Sequence, residues 1–190
     1  RMVHLMNHSH LPTRQRARER LAKPEQTEAE ALKKFAAVHT QKGEPKAGLV
    51  VFSRLCAACH QVQGQEGNAF GPDLASLRHR QPQSLMADIL LPQRSIADGY
   101  ELWIVRTKDG ETVSGIIVAD AAAGITLRDA GGQETQLLRA DIASLEASAY
   151  SAMTAGLGEL MSVQEMSDLI AYLKRWPELR TENLSQGSTE

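Results

Sequence analysis

Only two cysteines occur in the 190 residues, Cys56 and Cys59. A disulfide framework needs more of them. A structural zinc site needs further Cys or His ligands at finger-like spacing, and no second such pair exists. Aromatic residues make up only 4% of the chain, thin for a conventional core of this length. No apolar run approaches the roughly 18–20 residues of a membrane span. Nor does a secretory leader open the sequence, which begins at Arg1 and reads as a mature chain or a piece of a longer one. Charge of one sign is also missing overall, the formal net being −2. That balance hides an asymmetry: residues 1–46 carry ten Lys/Arg against five Asp/Glu, a net of +5, and residues 47–190 eleven against eighteen, a net of −7. An acidic body of this kind favours basic or neutral protein partners and argues against nucleic acid.

What is present is concentrated in five residues, Cys56-Ala57-Ala58-Cys59-His60. The C-x-x-C-H spacing reads as a c-type haem attachment site. Two thiols spaced this way each add across one vinyl group of a haem, and the adjacent histidine becomes an axial ligand to its iron. A thioredoxin-type dithiol would follow a strand in a βαβ pattern and would not require the histidine. Here the flanking stretch is helical in pattern. A covalently bound macrocycle is a large apolar body and fills part of the gap left by the scarce aromatics.

Along the chain, residues 1–43 read as an appendage, a frayed arm or the end of an upstream domain. It has a basic run from Arg14 to Arg20, histidines at 4, 8 and 10 without a supporting metal context, and one helix expected over 27–38. Gly43-Glu44-Pro45 breaks it, and Pro45 opens a new helix with Gly48 and Phe52 on one face. Near the other end Ser162-Val163-Gln164-Glu165 is a capping box. It starts a helix striped with Met166, Leu169, Ile170 and Leu173, bordered by Tyr172 and expected to stop at Pro177. Gly48 allows the two helices a close crossing, with Phe52 against Leu169 and Tyr172. A short helix is expected over 82–91. From residue 100 the periodicity becomes that of strands, over 100–107, 112–119, 125–128 and 135–138, separated by turn chemistry at Lys108-Asp109-Gly110, 121–124 and Gly131-Gly132. Four or five such strands make a small meander or barrel.

Beyond the attachment motif, Gly71-Pro72-Asp73-Leu74 suits the second shell of His60. Proline offers a carbonyl on a stiff backbone, and glycine lets the chain come close. That carbonyl is expected to accept from His60 Nδ1–H and so leave Nε2 for iron. The sixth ligand has several candidates: Met86, Met153, Met161, Met166, His79, or none. Met86 and Met166 fall on apolar helix faces as core filler. Met161 stands at the staple position before the capping box. His79 is flanked by Arg78 and Arg80, which read as solvated or as facing a haem propionate. Met153 lies in a loop of small residues, from which a thioether can reach a macrocycle without crowding it.

The ordered set Cys56-Ala57-Ala58-Cys59-His60, Gly71-Pro72-Asp73-Leu74, Ile89-Leu90-Leu91-Pro92, Gly99-Tyr100, Lys108-Asp109-Gly110, Ser151-x-Met153 with Gly156-Leu157, and Asp168-Leu169-Ile170-Ala171-Tyr172-Leu173 resembles a bacterial haem-binding cytochrome c domain of planctomycete and verrucomicrobial type. The likeness covers about residues 44–175. It implies a mainly α cytochrome c fold carrying an inserted small antiparallel β module, α+β overall. The expected division is an arm at 1–43, a haem domain at 44–98 and 148–178, the insertion at 99–147, and a flexible tail at 179–190. The resemblance further implies one haem c on Cys56 and Cys59, with Pro72 and Leu74 beside it and His60 and Met153 as iron ligands. Where the family pattern places proline after that methionine, this sequence has Thr154, which leaves the loop less rigid. The expected role is one-electron transfer, without enzyme activity of its own, from a dehydrogenase donor (fused or separate) to an electron-carrier acceptor. A periplasmic or other extracytoplasmic location follows from the site of haem attachment. The rival reading is a haem enzyme or gas sensor with an open or labile sixth position.

Overall fold

Pro45 occupies the first turn of helix α2 (Pro45–Leu55), where its missing N–H costs nothing, and the Glu44 carboxylate accepts from the Lys46 N–H ahead of it. The computed structural model describes residues 28–186, with side chains as far as residue 179. The expectations for His4, His8, His10 and the basic run at 14–20 lie outside the described residues. Before α2 come helix α1 (Glu28–Lys34) and a 3₁₀ turn (Ala36–His39); after it come a second 3₁₀ segment (Leu74–His79) and α3 (Pro82–Leu90). Strands β1 (Trp103–Thr107), β2 (Thr112–Asp120), β3 (Gly124–Arg128), β4 (Glu134–Leu138) and β5 (Ile142–Ala147) follow, then α4 (Val163–Gln186). The architecture is mixed α+β, with an antiparallel five-stranded sheet in the order β4-β3-β2-β1-β5.

The crossing of α2 and α4 organises the helical core. Backbone of α4 presses so close that a Cβ on Gly48 would stand 1.9 Å from the Asp168 carbonyl oxygen, and one on Gly43 2.0 Å from that of Ser167. One turn beyond Gly48, the Phe52 ring meets Tyr172 with centroids 5.4 Å apart. The capping box closes as its spacing requires: Glu165 accepts from the Ser162 N–H at 2.7 Å, and Ser162 Oγ accepts from the Glu165 N–H at 3.2 Å. Met161 and Met166, the two staple positions, are both buried in the core.

Two expectations need correction. The helix over 27–38 is broken at Phe35, which leaves helical geometry so that α1 gives way to the 3₁₀ turn. In that tighter winding residues three apart eclipse, which puts Phe35 and Val38 on one face, and both are buried in the same core as Phe52 and Leu169. A frayed arm therefore does not describe residues 28–39. Second, Pro177 does not stop α4, which runs through it to Gln186. An interior proline costs roughly 3 kcal/mol of helix stability. Trp176 is buried and Leu179 partly buried against the core, so packing on both sides of the proline carries the helix past it. Residues 179–186 are accordingly helical. Five strands agree with the four or five expected; β5 is the one whose Ala, Ser and Glu side chains, exposed or half-exposed, carry little strand periodicity.

The sheet is an open meander from β1 to β4, with β5 returning to pair with β1 on its other edge. One face makes the sheet's own core: Val105, Ile125 and Leu127 are buried there, with Trp103, Val113, Ile117 and Leu137 around them. The period of two along β2 sends Ile116 and Val118 to the other face.

Candidate functional site

Residues 56–60 complete one turn beyond α2. Cys56 N–H still donates to Phe52 O at 2.8 Å, while Cys59 N–H and His60 N–H both donate to Cys56 O, at 3.0 and 2.9 Å. A C-x-x-C-H run wound this way brings its first, fourth and fifth residues to one side, since positions three and four apart are neighbours on a turn. The two thiols form no disulfide.

The loop from 61 to 74 then folds back over the turn. Phe70 and Gly71 N–H groups donate to Cys59 O at 3.2 and 2.6 Å, Asn68 N–H to Ala57 O at 2.9 Å, and Leu74 N–H to Gln61 O at 2.8 Å. Gly67, at φ +132°, lies where a Cβ would be 2.1 Å from His60 O. This return delivers the Pro72 carbonyl to His60 Nδ1 at 2.8 Å. Gly71 faces the ring itself, for a Cβ there would sit 2.4 Å from His60 Cε1. With Nδ1–H donating to Pro72, the neutral imidazole presents its Nε2 lone pair to a further partner.

Burial sets the protonation states. It pushes the Cys56 thiol up to about 12, with the neighbouring Cys59 charge adding to the effect, and it raises Cys59 as well. Burial lowers His60, against the opposing hydrogen bond to Pro72. Protonated thiols and a neutral imidazole are the resting forms at neutral pH. A dithiol redox pair works through a depressed thiol pKa, so these shifts run against that chemistry. Among the described residues no group of three or more His, Cys, Asp or Glu is placed to hold a metal ion.

The remaining expected site residues divide clearly. Leu74 is buried beside the turn, in the core that Cys56 and Ala57 pack against. Met153 is half-buried against that same core, and its neighbour Ala152 packs with Cys59 in a second apolar cluster. The 151–153 loop and the 56–60 turn thus border the same two apolar clusters. Met86, Met161 and Met166 are core side chains. His79 is exposed and its Nε2 accepts from Arg78 Nε at 2.8 Å, while Arg80 pairs with Asp88 at 3.0 Å.

Three supports were not legible beforehand. The Asp73 carboxylate accepts from Gln63, Gly64 and Ala75 N–H at 2.8, 2.6 and 2.8 Å, pinning the loop and capping the 3₁₀ segment. An aspartate at a helix start is the available signal. Gln93 Oε1 accepts from the N–H of buried Ser151 at 2.7 Å, and Ser151 Oγ accepts from Met153 N–H at 3.1 Å. Arg128, on β3, donates to Ala69 O at 2.8 Å and ties the sheet to the return loop. A cavity of about 350 Å³ lies along that seam, between Gly71 and Asp73 on one side and Tyr100, Ile116 and Val118 on the other.

Residues 45–176, more than two thirds of the chain, match the family model described as cytochrome c. No curated protein matches the chain.

Proposed function

The chain belongs to the cytochrome c family, and on that premise we propose that it carries one haem c on Cys56 and Cys59 and works as a one-electron carrier. The family implies covalent haem and electron transfer. The residues fit the group: two protonated, unbridged thiols on one turn, a neutral imidazole with Nε2 available, and a half-buried methionine on a loop that borders the same core as Cys56. The single observation that carries the reading is the 2.8 Å contact from His60 Nδ1 to Pro72 O, which fixes the ring for axial ligation.

When bound, the haem supplies one-electron exchange at its iron, and axial-ligand identity moves its potential across about 0.8 V. In this reading Cys56 and Cys59 would anchor it, His60 and Met153 would ligate its iron, and Leu74 would pack beside it. A Met/His pair raises the potential relative to a bis-histidine pair. Ser151 and Gln93 hold the Met153 backbone, in a loop where Thr154 stands in place of the family's proline.

We further infer that the chain is of the planctomycete and verrucomicrobial type, that the sheet is an insertion in the haem domain, and that the protein works outside the cytoplasm. The proposed donor is a dehydrogenase and the acceptor a second carrier; the net −7 of residues 47–190 favours partners with basic docking faces. Among the described residues no helix is long and apolar enough to cross a membrane.

Optical spectra of the ferric and ferrous protein, with and without carbon monoxide, test the assignment in wild type and Met153→Ala. The expected result is a low-spin wild type that ignores carbon monoxide and a variant that binds it. A high-spin wild type, or one that takes up carbon monoxide as readily as the variant, removes Met153 and brings forward a sensor or enzyme with an open sixth position.

A further inference from the structure

The sheet has two apolar faces, and only one of them holds the sheet together. On the other, Leu102 and Ile116 are buried against Phe70 of the return loop, with Cys59 and Ala152 in the same cluster. These neighbours are the second attachment cysteine and the residue next to Met153. The contact is fastened at a distance by Arg128, whose guanidinium donates to Ala69 O at 2.8 Å while Glu134 holds it from behind at 2.6 Å. Leu102 O accepts from Ser148 N–H at 2.7 Å, so the sheet's two ends are joined just ahead of the 151–153 loop.

From this arrangement we propose that the sheet is a screen for the haem site, seated on its Cys59 side, and that the buried contact of Phe70 with Leu102, neither of which lines the adjoining cavity, keeps the reduction potential up by excluding water there. The inference rests on the electron-transfer reading. Its physical basis is charge: ferric haem carries one more positive charge than ferrous, and a low-dielectric surround disfavours the more charged state. Burial is therefore one of the levers by which a protein sets haem potential. Loosening the sheet admits water and lowers the potential, without touching either axial ligand.

The test uses the haem-loaded protein. Ile116→Ala removes a buried side chain from the seam, and Arg128→Gln removes the strap while leaving the apolar packing intact. Leu138→Ser, on the exposed far edge of the sheet (59% exposed), is the control. Redox titration and amide hydrogen exchange over residues 66–74 are read on each. Both seam variants are expected to exchange faster at Phe70 and Gly71. At the wild-type midpoint their ferric-to-ferrous ratio should rise about three- to tenfold, tenfold being about 59 mV for a one-electron couple. The control should match wild type. Seam variants with wild-type potential overturn the proposal, and faster exchange at unchanged potential does so too, because the sheet would then be docked without screening. A wild type lacking covalent haem overturns the electron-transfer reading, and this one with it; loaded variants indistinguishable from wild type overturn this one alone.

Discussion

Gly48→Ala is a substitution whose sign the structure reverses. Inside a helix and free of contacts, replacing glycine by alanine stabilises by about 1 kcal/mol. At Gly48 the added Cβ would stand 1.9 Å from Asp168 O, 2.5 Å from Asp168 C and 2.7 Å from Tyr172 Cβ. Two of these are backbone atoms, which cannot swing aside as a side-chain tip does. Contacts of this kind settle near 3.5–4.0 Å, so α2 and α4 must part by roughly 1.5 Å, and a gap of even 0.5–1 Å forfeits a quarter to a half of each van der Waals well across it. Phe52, Val51, Leu169 and Tyr172 all lie along that interface. Overpacking costs about 1–3 kcal/mol, and rigid backbone on the far side places Gly48 at the upper end. Net of the helix gain, the loss is about 2 kcal/mol, which for a chain of this size lowers Tm by about 4–8 °C. Thermal unfolding of the haem-loaded protein, followed at the backbone far-ultraviolet signal, reads it directly. A variant as stable as wild type, or more stable, refutes the close crossing.

Gly71→Ala would drive a methyl group into the His60 ring, 2.4 Å from Cε1, and push Nδ1 off Pro72 O; a high-spin fraction should appear in the ferric spectrum, and an unchanged low-spin spectrum counts against the geometry. Asp73→Asn weakens a carboxylate that accepts three backbone N–H bonds, at an expected cost of about 1–3 kcal/mol in urea unfolding with unchanged m-value. Ser162→Ala removes the cap on α4 and should cost about 1 kcal/mol in the same assay. The Glu165 carboxyl is held below its ordinary 4.5, first by the Ser162 N–H and also by the Ser162 hydroxyl and Arg54. Its contribution to stability is therefore present above pH 4.5 and lost as pH falls through the lower folded value. Glu165→Gln should flatten that acid limb of the stability profile.

The parts of the site that could be read in advance are those in which spacing alone dictates geometry. One turn of chain brings Cys56, Cys59 and His60 together whatever surrounds them, and the Ser162–Glu165 box closes on itself. Gly71-Pro72 was readable because a stiff carbonyl beside a missing side chain has few other uses near an imidazole. What escaped depends on partners remote in sequence. Pro177 stays helical because Trp176 and Leu179 find the core, and nothing local announces that. Phe35 leaves its helix because burying it together with Val38 outweighs continuing the α winding. Gln93 and Arg128 act through backbone groups, which no side-chain pattern reveals, and the helix-start signal of Asp73 does not announce its bonds to Gln63 and Gly64.

The sheet's place in the chain bears on how such a site tolerates its presence. The proposed site draws on three segments, at 56–60, 71–74 and 151–153, and the last is separated from the others by the whole sheet. A long excursion there would ordinarily cost loop-closure entropy and leave Met153 poorly placed. Here the excursion closes on itself: Trp103 pairs with Ala147, and Leu102 O accepts from Ser148 N–H at 2.7 Å. The two ends are thus adjacent strands, and the chain arrives at Ser151 much as if the sheet were a short turn. That closure supports reading the sheet as an insertion, because it can be gained or lost with little change to the path on either side. Its outer face is a separate matter. Ile116 and the Arg128 strap have no part in closing the sheet's ends, and their seating against Phe70 and Ala69 is the part of the sheet a haem environment can sense.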